Sequence, residues 1–277
     1  MKRAALVIAA CLIALPVQAQ FQLPDLGKDK DGKLDLGGII GQVKDLAGSQ
    51  SADEEVRSGD TIAATVFGAA PAWRNKAAQS YANLVGRNLA RQVERKDVTW
   101  RFAILDTPSI NAMAFPGGIV VITRGLYALL ASEDELAAVL AHEIAHVNRR
   151  HQWKVIQQQK LVALAGNAVA KSDPGQTAAV VADLGTKLIA RGLDKASEFE
   201  ADRDGVVIAA RAGYDSSALI AVMERLTTLK SGADTALLFS THPSPQDRIA
   251  ALSEAASAEV EAAAEPSAAA NRIRTAR

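Results

Sequence analysis

The sequence predicts an α+β fold, mostly helical, with a small β-sheet placed ahead of one principal helix. Three observations point to it. Residues 98–105 and 118–123 are short runs with strand character, and Pro116-Gly117-Gly118 breaks the chain between them. Ser132 can cap a segment that carries on past His146, with Glu135 completing a capping box. Everything after that segment reads as helix.

The chain opens on the basic Met1-Lys2-Arg3, runs through an apolar stretch from Ala4 to Leu15 and reaches the small-residue site Val17-Gln18-Ala19. Residues 1–19 therefore read as a cleavable signal peptide, because the apolar stretch is too short for a stable bilayer anchor. Ile8-Ala9-Ala10-Cys11 resembles a lipoprotein processing box, but cutting there leaves a leader too short for a comfortable apolar region. Simple secretion is preferred to lipidation at Cys11. Cys11 is the single cysteine, so a chain cut after Ala19 holds no disulfide and no thiolate metal site.

Residues 20–58 are rich in Gly, Asp and Lys and read as an extended N-terminal arm. Asp29 to Asp35 invites a calcium-loop reading. Aligning Gly32 with the loop glycine puts Gly27 and Gly38 at the first and last ligand positions, so a solvated turn is the better account. The main domain spans residues 59–263. Its first helix, over 72–95, shows Ala77, Tyr81, Leu84 and Leu89 near helical spacing. Later helices are expected at about 153–170, 176–192, 195–212, 215–229 and 245–263, with breaks at Asp173-Pro174-Gly175 and Gly213-Tyr214-Asp215. Residues 264–277 lack an apolar face and read as a disordered tail.

Composition excludes some classes. Apolar residues at 49% and charged residues at 22% are globular proportions, not those of a disordered scaffold. Lys+Arg and Asp+Glu balance at 31 each, and loss of Lys2 and Arg3 with the leader leaves a slight acidic excess. With aromatics at only 4%, neither a basic field nor stacking platforms are present for nucleic acid.

The chemistry lies in His142-Glu143-Ile144-Ala145-His146, inside the capped helix. Residues four apart project from nearly one face, so both imidazoles can reach one metal ion. Zinc suits two neutral nitrogens plus a carboxylate, which leave a fourth position for water and lower that water's pKa toward neutrality. Glu143 stands beside them and can take a proton from that water. A third ligand must come from elsewhere. His151 follows His146 by five residues, and on a continuing helix it points about 140° away; it reads as a surface or supporting histidine. The carboxylates Glu198, Glu200 and Asp202 are the better source. Glu198 and Asp202 share a helix face, so one can bind metal while the other steadies a ligand histidine, and Glu200 points off that face toward solvent.

These residues resemble the HtpX-like and CAAX-prenyl-protease-like zinc metallopeptidases of the gluzincin clan, and the chain is most similar to that family's soluble periplasmic branch. The resemblance covers roughly residues 60–255. Besides the histidine motif and Glu198-x-x-x-Asp202, it includes Asn111 to Gly118, Ile119 to Leu126, and Thr241-His242-Pro243 with Arg248 beyond it. It implies a zincin-type domain holding one zinc ion through His142, His146 and Glu198, with Asp202 and Arg248 supporting the ligands. The Ser-Arg pair common just before the glutamate is replaced here by Asp194-Lys195. The resemblance further implies that His242 lies near the metal, either steadying the tetrahedral intermediate or closing the open position. Glu143 and His242 are thus the expected catalytic residues.

The implied activity is endoproteolysis of unfolded or misassembled envelope proteins in the periplasm, with peripheral association at the outer membrane as a further expected contact. Ile119, Val120 and Val121 have the composition of a sheet edge able to pair with an extended peptide, and Gly117 and Gly118 would let that peptide approach closely. The rival reading is a chaperone-like binder of unfolded envelope proteins, against which the intact Glu143 argues. An integral-membrane peptidase is a second rival. The apolar stretches Leu161 to Ala170 and Thr177 to Ala190 are interrupted or flanked by Lys171, Asp173, Asp183 and Lys187, so they suit a hairpin near a membrane surface better than a span.

Overall fold

The computed structural model describes residues 51–160 and 195–253, apart from 230, 231, 233, 237 and 239–241. The described elements are α1 (Ala52–Ala69), α2 (Lys76–Ala90), β1 (Arg101–Leu105), β2 (Ala112–Phe115), β3 (Ile119–Thr123), α3 (Arg124–Leu129), α4 (Glu133–Asn148), α5 (Lys195–Arg211) and α6 (Ala218–Thr227). Residues 151–160 and 245–253 are also helical. The chain is thus α+β and mostly helical, with its small sheet ahead of α4. The leader with Cys11, residues 20–50 of the arm, the expected 176–192 helix and the tail all lie outside the described residues. No helix among the described residues is long and apolar enough to cross a membrane.

The arm read as extended to residue 58 is already helical from Ala52. Ser51 Oγ accepts from the Glu54 N–H at 3.1 Å, and Asp53, Glu54 and Glu55 favour the positive end of α1. In α2 the cap is Asn75, and the buried stripe is Ala78, Ala82, Val85 and Leu89. The expected stripe was displaced by one residue at two positions: Ala77 is exposed, and Leu84 is 52% exposed.

The sheet has the order β1-β3-β2, with β1 parallel and β2 antiparallel to β3. Its two faces alternate. Phe102, Ile104, Ala114, Val120 and Ile122 meet α2 and α4, while Met113, Phe115, Ile119 and Val121 meet Ala63 and Val66 of α1. β2 is absent from the sequence expectation because Ala112-Met113-Ala114-Phe115 is short, alanine-rich and buried throughout, so it carries no alternating signal.

This order corrects the peptide-pairing assignment. β3 is the middle strand, hydrogen-bonded on both sides and buried along its length, so Ile119, Val120 and Val121 have no edge to offer. Gly117 (φ 79°) and Gly118 (φ 96°) form the turn between β2 and β3. A Cβ on Gly117 would lie 2.6 Å from the Val56 Cα, and the Gly117 N–H donates to Glu55 Oε1. The close approach at Gly117 is therefore made by α1, and that at Gly118 by the chain before β1, where a Cβ would lie 3.0 Å from the Thr99 carbonyl oxygen.

Candidate metal centre

α4 is positioned from its first turn. The Glu135 N–H donates to Ser132 Oγ at 3.1 Å, and the Glu135 carboxylate accepts from the Ala131 N–H and from Arg225 on α6. Burial is continuous from Glu135 to Val147, the pattern of a helix enclosed on all sides. α5 lies directly against it through small residues. Ala141, Ala145 and Ala201 share one core cluster, and Gly205 stands so close that a Cβ there would lie 3.0 Å from the His142 Cα and N. This approach brings the acidic first turns of α5 to the histidines.

The result gathers His142, His146, Glu198 and His242, whose candidate ligand atoms all lie within 4.8 Å of one another. The Nε2 atoms of His142 and His146 face each other at 3.1 Å. Glu198 Oε1 is 3.3 Å from His146 Nε2, and Glu198 Oε2 is 3.6 Å from His142 Nε2. Glu198 is fully buried, yet Oε1 makes no hydrogen bond. Two imidazole nitrogens and an orphaned carboxylate oxygen converging in a buried space suit a divalent cation, which satisfies all three at once.

Electrostatics agree. Burial would raise the Glu198 carboxyl, but His242 and the neighbouring His142 and His146 hold it far below the usual carboxylate range. Burial and neighbouring Arg248 push His142 down, whereas Asp202 and Glu198 outweigh them and hold it up at about 9. Burial lowers His146 to about 3, so it stays neutral. Glu143 is 2% exposed, and burial pushes its carboxyl up, in the direction a proton-accepting group at neutral pH requires.

Asp202 and Arg248 both lie against His142. Asp202 Oδ1 lies 2.9 Å from His142 Nδ1, and Arg248 donates to both Asp202 oxygens while its Nη2 stands 3.3 Å from His142 Nδ1. His242 reaches in from the loop before residue 245, with its Nδ1 2.6 Å from Glu198 Oε2.

His151 differs from the surface alternative. α4 ends at Asn148, and Arg150 takes a left-handed φ of 58°, so the chain reverses rather than continuing as helix. His151 is 3% exposed, with its Nδ1 3.0 Å from His146 Nδ1 and its Nε2 3.0 Å from Glu200 Oε2. Glu200 accordingly does not simply meet solvent. Sequence reasoning missed the bend, which no glycine marks, and left His151 as either a surface or a supporting residue. It also missed Gly205, and Asn111, whose buried amide has neither atom hydrogen-bonded. A separate open pocket of about 560 Å³ lies at the other end of α4, lined by Tyr81, Tyr127, Tyr214 and Glu133 among others.

The family model for peptidase family M48 matches residues 76–256. The chain belongs to peptidase family M48. The beta-barrel assembly-enhancing protease of Escherichia coli K12 is 28% identical over 238 residues, covering 82% of this chain and 46% of that protein. The same-named protein of Yersinia pestis is 26% identical over 256 residues, covering 88% and 51%. The mitochondrial metalloendopeptidase OMA1 of Schizosaccharomyces pombe is 32% identical over 177 residues, covering 63% and 52%. The chain therefore spans about half the length of these relatives. The matched span includes the histidine motif, Glu198 and His242, the residues that could hold a metal ion.

Proposed function

We propose that this M48 peptidase is a zinc-dependent endopeptidase of the periplasm, secreted by its leader and acting on unfolded or misassembled envelope proteins. The observation that carries the zinc assignment is the spacing of the donor atoms. Ligands 2.0–2.1 Å from a tetrahedral zinc stand about 3.3 Å apart, and the contacts among His142, His146 and Glu198 measure 3.1, 3.3 and 3.6 Å. These three residues would hold the ion. Zinc, when bound, supplies Lewis acidity to a water molecule and to the scissile carbonyl.

The remaining steps belong to the protein. Glu143, buried beside both histidines with its carboxyl pushed up, takes the proton of the attacking water and passes it to the leaving amine. Asp202, clamped by Arg248, holds His142 with Nδ1 protonated and Nε2 toward the ion. His242 serves as the polar group beside the reacting carbonyl once a substrate has displaced it from Glu198. Backbone pairing to the outer strand β2, which packs near α4, would admit substrates with little sequence demand.

The names of the relatives support an envelope substrate, since the E. coli and Y. pestis proteins are called beta-barrel assembly-enhancing proteases. Contact with the outer membrane is the peripheral association this setting suggests. The second reading is a chaperone-like binder with latent activity, favoured by the close His242–Glu198 contact that fills the fourth position. Incubating the zinc-loaded protein with an unfolded test polypeptide, with Glu143→Gln alongside, separates the two. Cleavage lost in the variant supports the peptidase, and binding without cleavage by either protein supports the binder.

A further inference from the structure

All four histidines of the chain stand in one cluster, but His151 lies outside the set that can share a metal. We propose that His151 and Glu200 are positioning residues that fix the proton of His146 on Nδ1 and leave its Nε2 bare toward the metal. The proposal rests on the metal-site reading above.

The proton order follows from one end of the chain of contacts. An ionised carboxylate only accepts, so Glu200 Oε2, 3.0 Å from His151 Nε2, requires the His151 proton on Nε2. Neutral His151 then has a bare Nδ1, which must accept. At 3.0 Å the partner is His146 Nδ1, which must therefore donate. His146 is left with an unprotonated Nε2, the atom that faces His142 Nε2 and Glu198 Oε1 at 3.1 and 3.3 Å. A hydrogen-bond donor in place of Glu200 would reverse every step and put a proton where the ion must sit.

The rest of the structure holds this order. Glu200 is also paired with Arg149 at 3.2 Å, and Arg149 with Asp204 at 2.6 Å, so its carboxylate is held aimed at His151. Arg150, in its left-handed conformation, is anchored by the buried Glu55 and by Asp97, which keeps His151 beneath His146. Both ligand histidines thus end on carboxylates of α5. His142 reaches Asp202 directly, and His146 reaches Glu200 through His151.

The test is zinc affinity of the full chain by chelator competition for wild type, His151→Phe, His151→Asn and Glu200→Ala. A long-range proton–nitrogen spectrum of the zinc-free wild type accompanies it. His151→Phe keeps a buried ring without an acceptor and should lose about 10- to 100-fold in affinity. His151→Asn restores an acceptor near the Nδ1 position and should recover most of that loss. Glu200→Ala changes a half-exposed residue, so it keeps the test alive if the phenylalanine variant does not fold, and it should weaken zinc severalfold. The spectrum should show His146 protonated on Nδ1. Equal affinity in wild type and Glu200→Ala, equal losses in His151→Phe and His151→Asn, or His146 protonated on Nε2 would each overturn the proposal. A wild type that binds no zinc would instead overturn the metal site on which it rests.

Discussion

Gly205 and His142 are in backbone-to-backbone contact: a Cβ added to Gly205 would lie 3.0 Å from both the Cα and the N of His142. The contact sets how near α5 comes to α4, and hence whether Glu198 reaches the histidines. Alanine gains about 1 kcal/mol in helix propensity over glycine, but crowding a packed interface costs about 1–3 kcal/mol. Gly205→Ala should therefore lower the urea midpoint and weaken zinc together. Gly68→Ala on α1, with nothing within 4 Å of its Cβ, should instead be neutral or raise the midpoint. If both variants raise it, the close approach of the helices is not limiting.

Glu143 is the second prediction. Glu143→Gln keeps the size of a buried side chain and removes its basicity, so hydrolysis should fall by about 10²- to 10⁴-fold. Zinc affinity, read by chelator competition, should hardly change. Retained cleavage at unchanged metal content would assign the proton transfer to another group.

His242 should act as a removable fourth donor. Its Nδ1 lies 2.6 Å from Glu198 Oε2 inside the donor set. In His242→Ala a chelator should strip the metal about tenfold faster, by the scale of lost supporting contacts, and cleavage per bound metal should change. Unaltered metal release and unaltered turnover together would make His242 a bystander.

Without metal, stability should depend on pH through two histidines with opposite signs. His142 is held up at about 9, chiefly because Asp202 and Glu198 outweigh burial and Arg248. Its contribution is fully present below the unfolded value of about 6.5 and is lost as pH rises toward 9. Burial holds His146 down to about 3, so below about 6.5 the unfolded chain takes up a proton that the folded chain refuses, and stability falls toward acid. Urea unfolding of the metal-free protein should give its highest midpoint near pH 6.5. A profile that is flat up to pH 9 would show that His142 is not charged in the fold.

Legibility followed the range of the interactions. The helix carrying His142, Glu143 and His146 could be placed because its cap, Ser132 with Glu135, and its metal spacing are local. The α5 helix was placed nearly to its observed ends, and Glu198 and Asp202 were legible as one face of it. The errors lay where a neighbour in space decides. β3 has the residues of an edge or a core strand, and only the antiparallel pairing of the alanine-rich β2 makes it central. His151 has no helix face to declare it, because the turn at Arg150 is held by Glu55, far earlier in the chain.

By itself the sequence determined the two histidines, the carboxylate between them and the helix that presents them, because residues four apart on an α-helix share a face whatever surrounds it. Tertiary structure decided the rest. It selected Glu198 as the inward carboxylate, placed Asp202 against His142, turned Gly117 and Gly118 to packing rather than substrate, and folded His151 back under His146. The first two outcomes depend on how closely α5 approaches α4, helices far apart in the chain. That distance is set by the small side chains between them, Ala141, Ala145, Ala201 and Gly205, which no local periodicity records.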